Sequence, residues 1–406
     1  MSVEKLVCKN GVRIVHEFVP HVRSVSVGVW VKAGSRHELP EENGLTHFIE
    51  HMLFKGTENR TAKQIAQEFD RIGGNINAFT SKEYTCYYAK TLDQHAGQAI
   101  EILTDMFFNS LFSSEEIEKE RQVVLEEILM VEDTPDDDVH EQLWKVMYPD
   151  HMMGASILGT PETLQSFTAE SVRSYMEKHY IPENIIISIA GNINEALIRQ
   201  IEENFGSFVS NRQATNLSTK PVFVPGHARK ERETEQGHLC LGFEGLPVTD
   251  PEIYSLVVMN NTLGGSMSSR LFQEVREEKG LAYSIYSYHS SYSDHGSVVI
   301  YGGTSSSQLE KLHETILESI RNIKNDGISD LEIDNAKEQL KGNLLLGLEG
   351  TGARMNRNGK NEIVYGEHKT TDELLQMIEK VNKQSVNTVI DRLLDQDPAV
   401  SIIAPK

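Results

Sequence analysis

A chain of 406 residues with a hydrophobic fraction of 39% is long enough for two cores and apolar enough to fill them. Its net charge of −21 argues against a phosphate-neutralising surface, and so against nucleic acid as a partner, while it would attract basic peptides. No run of about 18 apolar residues suggests a membrane span. Three widely spaced cysteines, Cys8, Cys86 and Cys240, suggest buried thiols rather than a disulfide framework.

The N-terminus carries neither a basic-then-apolar signal nor an Arg- and Ser-rich transit composition, which favours a bacterial cytoplasmic protein. Residues 6–19 read as a hairpin about Asn10-Gly11, and residues 25–31 as a strand. Residues 44–57 then run Gly-Leu-Thr-His-Phe-Ile-Glu-His-Met-Leu-Phe-Lys-Gly-Thr. On a helix, positions i and i+4 share a face, so His47 and His51 can aim ring nitrogens at one point, with Glu50 beside it. Leu45, Phe48, Met52 and Leu53 form a stripe that would bury this helix, with Asn43 expected to cap its start and Gly56 to end it.

The order His-x-x-Glu-His is the inverzincin signature. Two imidazoles and one carboxylate hold a zinc ion and leave a position for water, whose pKa falls from about 16 toward about 7. Glu50 is then placed as general base. The plain alternative is an amphipathic helix that carries two histidines by chance.

Residues 73–80, Gly-Gly-Asn-Ile-Asn-Ala-Phe-Thr, continue through Tyr84 to Tyr88 as a strand entered by a flexible turn, and as sequence alone are an ordinary hairpin. Residues 118–130 are strongly helical, with Glu120 and Glu127 two turns apart on one face. Periodicity alone does not separate Glu127 from Glu126 as a third ligand, and a solvated acidic helix would read the same way. The acidic run 132–138 reads as a solvated loop. Residues 185–190 read as a closing strand.

The pattern then repeats. Ser26-Val-Gly-Val matches Cys240-Leu-Gly-Phe at an offset of 214, and Glu116-Ile-Glu matches Glu332-Ile-Asp at 216. Under these offsets His47, Glu50 and His51 fall on Asn261, Gly264 and Gly265, and Glu127 on Asn343, so the second copy lacks the ligands. We expect an α+β protein of two tandem domains, 1–212 with the metal motif and 235–406 without it. Residues 213–234 form the linker, where periodicity fails.

Taken together, these motifs resemble the pitrilysin or insulinase family of zinc peptidases, in its processing-peptidase branch, over almost the whole chain. The resemblance implies a zinc metalloendopeptidase with one zinc per chain and the LuxS/MPP-like fold, each domain a mainly antiparallel sheet packed with helices. It singles out Glu127, 76 residues beyond His51, as the third ligand, and Glu120 as the residue that orients a ligating imidazole. It places Asn77, Ala78 and Phe79 on a sheet edge that pairs with the peptide. Arg276 and Tyr283 correspond to an arginine and a tyrosine that stabilise the oxyanion. Asp137 and Glu141 match carboxylates that recognise arginine near the cleaved bond.

Family members enclose a chamber with four such domains, so the resemblance implies a homodimer, or a heterodimer with a paralogue, acting on extended, basic or presequence-like peptides. The glycine-rich loop of inactive processing subunits is short here, at residues 263–270. The rival reading is a non-catalytic scaffold, or a partner that binds peptides without cutting them.

Overall fold

The structure is a computed structural model and describes residues 3–210, 212 and 219–406. The chain forms two compact units, and neither is continuous in sequence. The first comprises 1–128, 156–218 and 346–370, and the second 129–155, 219–345 and 371–406.

In the first unit a six-stranded sheet is built from β1 (Glu4–Val7), β2 (Arg13–Phe18), β3 (Ser24–Val31), β4 (Asn75–Thr80), β5 (Thr85–Leu92) and β6 (Ile185–Gly191). Its order is β1-β2-β6-β3-β5-β4, antiparallel except for the β2–β6 pair. The closing strand β6 is therefore central, and all seven of its residues are buried, as its unbroken apolar run requires. β4 lies at an edge, with only β5 as its neighbour among the described residues. One face packs against helices, including Leu45–Met52 and Ala96–Asn109, through Phe48, Ile49, Ile100, Leu103 and Ile187.

The other face is covered by helix Thr351–Val364, far along the chain. Met355 and Ile363 join Trp30, Cys86 and Ile186 in a small core. A Cβ on Gly359 would overlap the Trp30 indole, so glycine sets the distance of approach. Around this core the contact is polar. Ser26 and Thr351 hydroxyls meet at 2.9 Å, Arg354 and Asn358 donate to the buried Glu17, and Arg13 and Lys5 pair with the buried Glu362.

The second unit repeats the plan with β7 (His227–Arg232), β8 (Gln236–Gly245), β9 (Ser284–Ser291), β10 (Gly296–Ser305) and β11 (Ala399–Pro405), in the order β7-β11-β8-β10-β9. Helix Pro135–Met147, from the first half of the chain, buries Val139, Leu143 and Met147 against Cys240, Val299 and Ile403. The acidic run 132–138 is accordingly not a solvated loop. Pro135 begins a helix, and Asp138 is buried between Lys230 at 2.7 Å and Arg232 at 3.1 Å. Of the expected linker 213–234, residues 213–218 lie outside the described residues. Residues 227–232 form the edge strand β7, whose charged composition hides the alternation a half-buried strand would show.

All three cysteines are buried and unpaired. Among the described residues no helix is long and apolar enough to cross a membrane.

Candidate metal centre

The histidine helix runs from Leu45 to Met52 and buries Leu45, Phe48, Ile49 and Met52, the apolar stripe of its sequence. Its start differs from the expectation. Asn43 does not cap it; the Asn43 amide donates instead to Glu38 and to the Ser156 carbonyl at 2.8 Å. The buried Glu38 carboxylate takes the capping role, accepting from the Gly44 and Thr46 amides at 2.9 and 2.7 Å. Gly44 makes this possible by adopting φ 93°. Burial raises the Glu38 pKa to about 7 against the opposing pull of these hydrogen bonds. The helix closes at Met52, before Gly56 is reached.

His47 Nε2 and His51 Nε2 face each other at 3.2 Å, and one Glu127 oxygen lies 3.7 Å from each. Three ligands at bond lengths near 2.1 Å and tetrahedral angles would stand about 3.4 Å apart, so this donor set fits zinc. Among the described residues this is the one such group of histidine, cysteine and carboxylate side chains. His51 Nδ1 lies 2.8 Å from Glu120, which also holds Lys55 at 2.5 Å. When Nδ1 carries the proton, the Nε2 lone pair is directed to the shared point.

Electrostatics separates the two histidines. Burial, then the neighbouring His51, pushes His47 down to about 3, so it stays neutral and able to ligate. For His51 burial lowers the pKa, but the Glu120 hydrogen bond and the charges of Glu120, Glu127 and Glu50 outweigh it, and the net shift is upward. A cation bound here would take over that compensation of negative charge. Glu50 lies on the same turn, half-buried, and burial raises its carboxyl pKa. Thr80 Oγ1 donates to Glu50 Oε2 at 2.5 Å.

Sequence reasoning missed Glu38, Lys55 and Thr80. Thr80 directly follows the Asn-Ala-Phe motif and was within reach; Glu38 and Lys55 have no signal beyond their charge.

The remaining predicted residues occupy defined places. Asn77, Ala78 and Phe79 lie on the edge strand β4. In the second unit, the Arg276 guanidinium sits 4.4 Å from the ring centre of Tyr283, which is 79% exposed. Asp137 and Glu141 stand one turn apart on helix Pro135–Met147 of the same unit.

Residues 13–161 match insulinase (peptidase family M16), and residues 166–340 match the peptidase M16 inactive domain. The uncharacterized zinc protease YmxG of Bacillus subtilis is 55% identical over 403 residues, covering 99% of this chain and 98% of its own. The uncharacterized zinc protease SCO5738 of Streptomyces coelicolor is 40% identical over 412 residues, covering 100% and 90%. Among solved structures, a protease from Helicobacter pylori superposes with a TM-score of 0.93 at 21% identity, covering 100% of this chain and 99% of that one. At that identity the likeness speaks for the fold alone.

Proposed function

Because the chain belongs to the insulinase family of peptidases, we propose that it is a zinc-dependent endopeptidase that hydrolyses extended or unfolded peptides, basic ones among them. The observation that carries this reading is the meeting of His47, His51 and Glu127 at 3.2 and 3.7 Å, with Glu50 on the same helical turn. These three residues would hold the metal. Zinc, when bound, supplies Lewis acidity: it polarises a carbonyl and lowers the pKa of water.

The chain's own groups do the rest. Glu50, with its raised pKa, takes a proton from water and passes it to the leaving amine. Glu120 keeps the His51 ring in one orientation. The outer edge of β4, at Asn77, Ala78 and Phe79, pairs with substrate backbone, giving affinity with little demand on sequence. Arg276 and Tyr283 bring a positive charge and a phenol to the developing oxyanion. Asp137 and Glu141 bind a substrate arginine.

The protein acts in the bacterial cytoplasm as a homodimer, with Arg276 and Tyr283 of one subunit serving the zinc of the other. Mixing Arg276→Ala and Glu50→Gln subunits restores activity if they act in trans, and persistent silence of the mixture refutes it.

Metal analysis joined to a peptide-cleavage assay tests the central claim. Wild type is expected to hold one zinc and cut; Glu50→Gln is expected to keep the zinc and lose about 10²- to 10⁴-fold in rate. Zinc without cleavage of any unstructured peptide would instead support a binding partner or scaffold.

A further inference from the structure

We infer that Thr80 is a positioning residue that couples peptide pairing on β4 to the orientation of Glu50, an inference that rests on the peptidase reading above. Thr80 is the last residue of β4, and its hydroxyl makes the one hydrogen bond that Glu50 receives among the described residues. The bond, at 2.5 Å, is of the short charge-assisted kind when Glu50 is ionised. It fixes Oε2 and so leaves Oε1 with a defined direction for accepting a proton.

The same strand has a single ladder. Among the described residues, 75–80 pair with β5 on one side and with no strand on the other. Ile76, Ala78 and Thr80 alternate onto one face, where Ile76 and Ala78 pack on the main core and Thr80 meets the histidine helix. An extended peptide on the open edge gives β4 a second ladder and removes its remaining freedom. The effect reaches Glu50 through a single rigid residue, because a β-branched threonine has few χ1 choices. Binding energy from residues remote from the cleaved bond is thereby converted into orientation of the base, and appears in kcat rather than in KM.

The test uses zinc-loaded wild type, Thr80→Val and Thr80→Ser, each assayed on two peptides with the same scissile bond. One peptide is long enough to pair along β4, and the other is cut back to the residues flanking that bond. Thr80→Val should lower kcat on the long peptide about 10- to 100-fold with KM unchanged, the scale of one charge-assisted hydrogen bond. Its advantage for the long peptide over the short one should collapse. Thr80→Ser, which keeps the hydroxyl, should restore most of both. Zinc content, and peptide affinity of the metal-free protein, should match wild type in both variants. Wild-type kcat in Thr80→Val overturns the inference, as does equal loss in the two variants or loss of zinc in either. A wild type that cuts neither peptide refutes the peptidase reading itself, an outcome visible before any substitution is made.

Discussion

Where the first unit carries His47, Glu50, His51 and Glu127, the second carries Asn261, Gly264, Gly265 and Asn343, and the packing differs along with the chemistry. In the second unit, helix Ile253–Asn260 passes into a widened π-helical turn over Asn261–Gly265. Edge strand β9 closes directly onto that turn. A Cβ at Gly264 would stand 2.6 Å from the Ser287 amide nitrogen, and the Ser287 hydroxyl donates to the Asn260 carbonyl at 3.2 Å. In the first unit the matching contact, between β4 and the histidine helix, is made by the side chains of Thr80 and Glu50. One contact between strand and helix thus exists in two forms. Side chains keep the elements apart where the reaction is proposed, and backbone fills the space in the unit that lacks the donor set.

Making the first unit resemble the second should have the largest effect. His47→Asn, which copies Asn261, is expected to abolish zinc binding and cleavage together, read by metal analysis and assay; retained zinc would break the comparison. Removing support without removing a ligand is milder. Glu120→Ala should weaken zinc about 10- to 100-fold in a chelator competition while leaving the fold intact.

The reverse change should disturb only packing. Gly264→Ala is expected to cost about 1 to 3 kcal/mol in denaturant unfolding and to bind no zinc, and a neutral result would show that β9 yields easily.

The smallest effect concerns pH, where the units should slope in opposite directions. Burial raises Glu38 from 4.5 to about 7, so folded protein binds the extra proton; the contribution is full below pH 4.5 and is lost as pH rises through 7. The Arg270 hydrogen bond, with Ser329, lowers Glu332 from 4.5 to about 2, so its contribution is present above pH 4.5 and is lost as pH falls toward 2. Melting temperatures should lose the first slope in Glu38→Gln and the second in Arg270→Met; unchanged slopes would refute these assignments.

The local parts of this molecule could be read from its sequence. The histidine helix and the strand with Asn77 to Phe79 rest on spacing and alternation that neighbouring residues impose on one another, and the internal repeat on direct likeness between segments 214 to 216 residues apart. Glu127 needed family resemblance, because Glu126 satisfies the same periodicity and only folding decides which of them faces His47. Asn43 misled because a good capping residue stood beside the helix while the acceptor came from Glu38, on the preceding loop. The central place of β6 and the two helices packed in units formed mostly from the other half are nonlocal. Helix Pro135–Met147 has the same apolar face whichever sheet it covers.

Helix Thr351–Val364 has a consequence for how the protein is made. The first unit cannot bury Trp30 or pair Glu17 until Arg354, Met355 and Asn358 exist, and these residues leave the ribosome more than three hundred residues after Trp30. Folding from the N-terminus forward, the usual order for successive domains, therefore leaves one face of the first sheet bare while the second half is translated. The proposed zinc ligands are complete by residue 127, yet the sheet beneath their helix is finished more than two hundred residues later. Newly made chains should thus pass through a stage able to capture metal before the unit that holds it has closed.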